Sequence, residues 1–406
     1  MPNTSHPRLL SFALDDWTVL GGRVYVPLID QVGVLVGRNG AGKSAILEGF
    51  EAISSRAIGR LSRFRQIDSE SIPKILDIEI LTPEDRQLRY RYELKAIPIS
   101  ADEPDIDDSI NESSEESQFS WNDCCKYIDG EKELLWTTES GLTTLENAGS
   151  PIITILGNTS SLRQLHLLEN SRLKLPDEMQ WVYSILRGVR LLGKAPVRRT
   201  SRRQQAFLRV SSKGIGTGFS GLADSLSRKI LRRIEIGELD ELESVCQRVG
   251  LGNKITEQKF ISSREYEGKA IGEDEEYLSS ILLDGVNVGL LSDGTLRVLS
   301  ILIEIISSYP SATTIIEEPE TQIHPGMLAK LLNEIEAYTC DGNLIISTHS
   351  PQVVAWTKPR KINLVYRNHG QTTIRKLHEE EIQKVVEYLC EEGDLGDWLY
   401  SGILDG

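Results

Sequence analysis

The spacing of apolar residues divides the chain before any motif is considered. Near the N-terminus LLSFAL, RVYVPLI and VGVLVG are short apolar or alternating runs set off by the turn DDWTVLGG, which predicts two antiparallel strands feeding a buried third. VGVLVG continues directly into RNGAGKSAILEGFEAI, where Ile46, Leu47 and Phe50 recur at helical spacing, so strand, glycine loop and helix follow one another. Residues 75–99 alternate about a PED turn and predict a hairpin that extends the sheet.

Between residues 155 and 250 the period changes. PDEMQWVYSILRGVRLL, with Pro176 suited to a first helical turn, GLADSLSRKILRRI and ELDELESVCQRVGL repeat apolar groups every three or four residues and predict helices. Pro176 and Pro196 interrupt the pattern, which argues against a long coiled coil. From residue 275 onward YLSSILL, TLRVLSILIEII, TTIIEE, GMLAKLLNEIEAY and NLIISTHS alternate strand and helix patterns, and KINLVYR with QTTIRKL reads as a hairpin. The expected fold class is therefore α/β, with helices covering a sheet.

Composition narrows the picture. At 406 residues the chain is long enough for two or three domains, or one with long insertions. A formal net charge of -15 argues against a protein that coats nucleic acid over its whole surface, so any DNA contact has to be local. Residues 101–118, ADEPDIDDSINESSEESQ, are acidic and nearly devoid of large apolar groups; they cannot offset their own ordering entropy and read as a mobile surface loop. The five cysteines (Cys124, Cys125, Cys246, Cys340, Cys390) lack metal-ligand spacing, and the adjacent pair is poorly placed to bridge itself, so reduced thiols are expected. MPNTSHPRLLSFALDD has no apolar core for a signal peptide, and no stretch approaches the roughly 20 apolar residues of a membrane span, so a cytoplasmic protein without a membrane partner is expected.

GRNGAGKS, Gly37 to Ser44, fits the phosphate-loop pattern G-x-x-x-x-G-K-[ST] in its required place between strand and helix. Its glycines let backbone N–H groups close around phosphate oxygens, Lys43 neutralises β/γ charge and Ser44 is placed to ligate Mg²⁺. IIEEPETQIHP, residues 315–325, runs an apolar strand into Glu317, Glu318 and Glu320, acids that are costly to desolvate unless a metal, a base or water compensates them. Beside a phosphate loop, Glu317 suits the metal side through water and Glu318 the attacking water; the plainer reading is a strand end that carries charge. Glu320 is a weaker candidate, and His324 with Pro325 fits the start of the next helix. LSDGTLR, residues 291–297, is either a simple N-cap or a second helix N-terminus that closes on a γ-phosphate through Ser292 and Gly294. IISTHSP, residues 345–351, ends a strand at His349, either a bystander beside a cap or a sensor of γ-phosphate by hydrogen bond.

In this order GRNGAGKS, LSDGT, IIEEPETQIHP and STHSP resemble the ABC-class ATPases of the RecF, SMC and overcoming-lysogenisation-defect (OLD) group, over roughly residues 8–95 and 276–375. The resemblance implies an ABC-type P-loop ATPase head, a mixed β-sheet with flanking helices plus an antiparallel β subdomain, carrying a helical insertion. It implies ATP and Mg²⁺ as ligands, and two heads that sandwich two nucleotides. Carried over, Gly37, Arg38, Asn39, Gly40, Ala41, Gly42, Lys43, Ser44 and Ala45 hold phosphate; Ser44 and Glu317 support Mg²⁺; Glu318 is the catalytic carboxylate and His349 the switch histidine. Ser292 and Gly294 reach the partner copy's γ-phosphate, and Gln66 in RFRQID is the candidate glutamine that senses Mg²⁺ and water. Glu317 stands where the wider class has Asp, and LSDGT departs from the transporter-type sequence.

Only about fifty residues follow STHSP, too few for the Toprim nuclease domain of OLD nucleases. The resemblance is thus to stand-alone members that act with a separately encoded effector, a nuclease or toxin, many in bacterial phage defence. The expected divisions are an N-terminal lobe at 1–100, an acidic insert at 101–150, a mainly helical insertion at 151–260 and a C-terminal lobe at 261–406. KAPVRRTSRRQQAFLRVSSK, residues 194–213, holds seven basic side chains and no acidic one, which fits a DNA backbone contact or equally a solvated loop, and Phe207 is its one aromatic. Two alternatives stand beside effector control: a RecF-like clamp on DNA, and an ATP-held homo-oligomeric scaffold that captures a protein.

Overall fold

The computed structural model describes residues 6–59, 72–96, 119–129, 133–139, 142–145, 152–153, 161–162, 176–192, 205–211, 214–217, 221–261, 277–378 and 380–381. Strands β1 (Arg8–Asp15), β2 (Val24–Pro27) and β3 (Val32–Val36) precede helix α1 (Lys43–Ala57). β4 (Ile75–Leu81), β5 (Gln87–Ala96), β6 (Phe119–Tyr127), β7 (Leu134–Glu139), β8 (Leu142–Leu145) and β9 (Ile152–Ile153) follow. The middle holds α2 (Asp177–Gly188), β10 (Arg190–Leu192), β11 (Leu208–Ser211), β12 (Gly214–Thr217), α3 (Leu222–Ile236), α4 (Leu239–Val249), β13 (Ile255–Ile261), β14 (Tyr277–Leu283) and β15 (Val286–Asn287). Last come α5 (Asp293–Ile306), β16 (Thr313–Glu317), α6 (Pro325–Tyr338), β17 (Asn343–Thr348), α7 (Pro351–Trp356), β18 (Ile362–Asn368) and β19 (Gln371–Lys376). The chain forms two compact units, one of Met1–Leu191, Tyr309–Glu317 and Asp341–Gly406, the other of Leu192–Ser308 and Glu318–Cys340.

The first unit contains two sheets. The antiparallel one runs β2-β1-β4-β5-β6-β7-β8-β9. Its alternation is the reason it has one dry face: Leu76, Ile78, Ile80, Leu88, Tyr90 and Tyr92 are buried, while Asp77 on the other face is bridged by Arg23 and Arg91 at 2.7 and 3.0 Å. The dry face shares a core with Ile46, Leu47, Phe50 and Ile53 of α1, and Phe12 stacks on Phe50 with ring centroids 4.0 Å apart. The second sheet runs β10-β16-β17-β3-β18-β19, with β16, β17, β3 and β18 parallel and β19 antiparallel to β18. Every residue of β17 is buried, as a strand in the middle of a parallel layer requires. Asn343, at its start, accepts the Leu9 N–H at 3.0 Å and so ties the two sheets together.

The second unit pairs an antiparallel sheet, β12-β11-β14-β13 with β15 on β14, with helices α3 to α6. Helix α5 buries Val298, Leu299, Ile301, Leu302, Ile303 and Ile305 and packs against α3, α4 and α6. Arg248 of α4 grips Glu334 of α6 through two hydrogen bonds of 2.7 and 2.8 Å. Helices on a sheet are what the chain pattern predicts, and a mixed sheet with flanking helices plus antiparallel β structure is the architecture the resemblance implies. Strands β6, β7 and β8 lie in the span assigned to the acidic insert, and β11, β12 and β13 in the span assigned to a mainly helical insertion. The acidic run 101–118 lies outside the described residues, as does most of the basic segment.

Asp123 is an exception to the dry face. Its Oδ2 accepts from Tyr90 Oη at 3.2 Å and from the N–H and hydroxyl of Ser161 at 3.2 and 2.8 Å. Burial raises the Asp123 pKa above its ordinary value, and hydrogen bonds from Thr138, Ser161 and Tyr90 only partly offset it. A carboxyl whose folded pKa is raised contributes stability below its unfolded value near 3.9 and loses it as pH rises through the folded value. Asp123→Asn keeps an oxygen for the same donors without the buried charge. The expected result is a variant at least as stable as wild type at pH 7, with the difference shrinking toward pH 4, read from urea midpoints across that range.

Candidate nucleotide-binding site

Parallel register brings three strand ends to one edge of the mixed sheet. β17 lies beside β3 with Thr348 opposite Val36, and β16 lies beside β17 with Glu317 opposite Ser347. Gly37, His349 and Glu317 therefore leave or end adjacent strands of the first unit at nearly the same level, where loops at the carboxyl ends of parallel strands commonly bind ligands.

The glycine loop between β3 and α1 is built for close backbone approach. A Cβ on Gly37 would lie 2.1 Å from the Val365 carbonyl oxygen of β18. Gly40 and Gly42 have φ of 81° and 105°, the left-handed region where glycine carries no steric penalty. The N-cap Gly42 makes no side-chain cap bond and no acid sits in the first turn of α1, so the positive end of its dipole there favours an anion. Lys43 is 5% exposed and folds back on the loop, its Nζ donating to the Gly37 carbonyl at 2.6 Å and the Arg38 carbonyl at 3.2 Å. Arg38, Asn39, Gly40 and Ser44 are exposed; Ala41 is buried and Ala45 half-buried.

β16 ends at Glu317, which is half-buried, and the first residue of the second unit's return segment is Glu318. Glu318 has φ of 43°, unusual for a non-glycine residue and a feature that clusters at functional loops. Within the second unit its carbonyl accepts from Arg297 Nη2 of α5 at 2.9 Å, and its own loop turns back through the Thr321 N–H at 3.0 Å. Glu320 is half-buried in the same turn. His324 is the N-cap of α6, accepting the Gly326 N–H at 3.2 Å on Nδ1, and Pro325 is the first helical residue.

Ser292 caps α5, its hydroxyl accepting the Thr295 N–H at 3.1 Å and sharing a 2.7 Å contact with the Thr295 hydroxyl. Gly294 follows in the first turn, where a Cβ would lie 2.1 Å from the Gln322 carbonyl oxygen. The simple cap is thus present, and Gly294 adds a backbone approach to the loop that begins at Glu318. His349 is exposed at the end of β17, and the Thr348 hydroxyl accepts the Ser350 N–H at 2.9 Å as α7 begins.

These side chains fit a magnesium nucleotide in kind. Mg²⁺ generally takes one or two carboxylates plus phosphate oxygens and water, which asks for Ser44 and one acid, and not for a protein cage. Among the described residues no group of three or more His, Cys, Asp or Glu gathers as such a cage. Gln66 lies outside the described residues. Of the basic segment, Arg209 is exposed on β11 and Phe207 meets Phe260 edge-on at 5.8 Å. The sequence reading missed Arg297 at Glu318 and the β18–β19 backing of the loop; the signal available was glycine at Gly37 and Gly294.

Residues 197–355 match the family model described as "AAA domain, putative AbiEii toxin, Type IV TA system". That span holds Ser292, Gly294, Glu317, Glu318 and His349 and stops short of the glycine loop. No curated protein matches the chain. Similar solved structures include an SmcHead bound to the C-winged helix domain of ScpA, 13% identical over 93% of this chain and 99% of that one, with a TM-score of 0.43. An SMC head domain from Thermotoga maritima is 14% identical over 91% and 99%, TM-score 0.36. An Smc head domain with an extended coiled coil, bound to the C-terminal domain of ScpA derived from Pyrococcus furiosus, is 12% identical over 95% and 100%, TM-score 0.37. No helix among the described residues is long and apolar enough to cross a membrane.

Cap and close approach at α5 separate by mutation. Ser292→Ala removes one capping acceptor and is expected to lower stability by about 1 kcal/mol. Gly294→Ala drives a methyl into a backbone oxygen that no side-chain rotation can relieve, and is expected to cost about 1–3 kcal/mol. Urea unfolding at unchanged slope gives both values.

Proposed function

We propose that the chain is a Mg²⁺-dependent ATPase whose heads pair on ATP, and that this pairing controls a separate effector protein, a nuclease or toxin, in bacterial antiphage defence. The observation that carries the reading is the uncapped N-terminus of α1 behind a positive-φ glycine loop, at a sheet edge shared with the strand ends of Glu317 and His349.

In this reading Gly37 to Ala45 enclose the β- and γ-phosphates with backbone N–H groups, and Lys43 exchanges its loop carbonyls for phosphate oxygens. Ser44 and Glu317 would hold Mg²⁺, which would supply positive charge to offset that of the phosphates. Glu318 orients a water on the γ-phosphorus and takes up its proton; the bond to the β-phosphate oxygen breaks, leaving ADP and inorganic phosphate. His349 reads the γ-phosphate by hydrogen bond. Ser292 and Gly294 of one copy meet the nucleotide of its partner, through an N-terminus of α5 whose dipole favours phosphate.

The family description that matches residues 197–355 names a toxin of a toxin–antitoxin system and supports a setting of that kind, while the separate effector rests on the resemblance of the sequence motifs alone. A second reading, a DNA-responsive clamp, draws on the basic segment 194–213, of which Arg209 is exposed on β11. Duplex DNA added to the ATPase assay separates the two: stimulation favours the clamp, indifference the protein-triggered effector.

Lys43→Ala is expected to weaken ATP binding by about 30-fold or more, the loss that follows when one partner of a desolvated charge pair is truncated. Glu318→Gln is expected to keep ATP affinity while kcat falls by about 10²–10⁴, with an ATP-loaded dimer accumulating in light scattering. Normal turnover by the Glu318 variant would remove that residue from its role.

A further inference from the structure

The β18–β19 hairpin touches the glycine loop at both of its ends. At one end the Val365 carbonyl of β18 occupies the space a side chain on Gly37 would need. At the other, Thr372 of β19, which is fully buried, donates its hydroxyl to the Ala41 carbonyl at 3.2 Å. The same hydroxyl lies 2.5 Å from where a Gly42 Cβ would be, so the threonine fills the place left by the glycine. The hairpin is itself fixed from the other side: the Thr372 N–H donates to the Leu20 carbonyl at 2.8 Å, and a Cβ on Gly21 would lie 2.6 Å from the Gly370 oxygen.

Peptide planarity turns this contact into an orientation. In a trans peptide the carbonyl and the following N–H point in opposite directions, so holding the Ala41 oxygen against Thr372 sets the Gly42 N–H on the far side of that peptide. Gly42 at φ 105° caps α1 immediately before Lys43, where successive N–H groups form an anion-binding concavity. Left to itself a glycine peptide flips readily, and a flipped Ala41–Gly42 unit would present an oxygen to a phosphate.

We infer that Thr372 is a positioning residue for nucleotide binding: its hydroxyl holds the Ala41–Gly42 peptide so that the Gly42 N–H faces the phosphate. The inference rests on the reading of Gly37 to Ala45 as a nucleotide loop. Thr372 touches no phosphate and acts through the loop backbone alone. It predicts a loss of affinity common to ATP and ADP, because both place phosphate in the same loop.

The test is calorimetric binding of Mg-ATP and Mg-ADP to the full chain as wild type, Thr372→Val, Thr372→Ser and Thr372→Ala, with the urea midpoint of each nucleotide-free protein measured alongside. Valine keeps the shape and removes the donor, and is expected to weaken both nucleotides about fivefold to thirtyfold, the factor that one lost buried hydrogen bond allows. Serine keeps the donor and is expected to bind within about twofold of wild type. In steady-state assays of the valine variant KM rises more than kcat falls. Alanine supplies the same comparison should valine not fold. Wild-type affinity in the valine variant, or serine as weak as valine, overturns the inference while the nucleotide reading stands. Failure of both valine and alanine variants to fold also overturns it, since Thr372 is then structural. A wild-type chain that binds neither nucleotide removes both readings together.

Discussion

The parallel register of β3, β17 and β16 is the constraint from which the candidate site follows. Because Val36 lies opposite Thr348 and Ser347 opposite Glu317, a glycine loop, a histidine and a carboxylate leave the sheet at one edge. A slip of one residue would turn every side chain of β17 to the other face, and since both faces are buried it is close packing against differently shaped neighbours on each side that holds the register. The chemistry at the edge is therefore held by apolar packing below it. The polar side chains at that edge need not also hold the fold.

The second unit uses a related economy of means. Its glycine at Gly294 is set by contact, with the Gln322 oxygen against it, and its arginine at Arg297 supports the left-handed turn at Glu318. Helix α5 thus carries a capped N-terminus and, one turn on, the group that holds the carboxylate loop. A change in how that helix terminus is engaged has a short path to Glu318 through two backbone carbonyls, those of Gln322 and Glu318.

Much of this was legible from periodicity. The strand-loop-helix around GRNGAGKS, the hairpins at 75–99 and 362–376, and the strands TTIIEE and NLIISTHS are short-range patterns whose burial repeats every second residue or runs unbroken. β6 was hidden because Asp123 sits on its core-facing side beside Trp121 and Cys125, so FSWNDCCKY does not read as alternating. The pairing of β3 between β17 and β18 was not legible either, since register between distant segments is a property of the packed layer. The glycines of the loop were read as phosphate-binding from their pattern, while their contacts with Val365 and Thr372 depend on a hairpin far along the chain. The positive φ at Glu318 has no local sequence signal at all, as glutamate is not a residue that favours it.

That distance bears on how the protein comes into being. Ala41 and Thr372 are separated by 331 residues, so the loop leaves the ribosome long before the strands that frame it. At about 5–20 residues per second, the interval is on the order of seventeen seconds to a minute. Contacts this far apart in sequence form late, after many shorter closures have been made. A nascent chain therefore carries the complete GRNGAGKS sequence while it still lacks the sheet that shapes it, and the loop takes its final form only when β17, β18 and β19 add to β3.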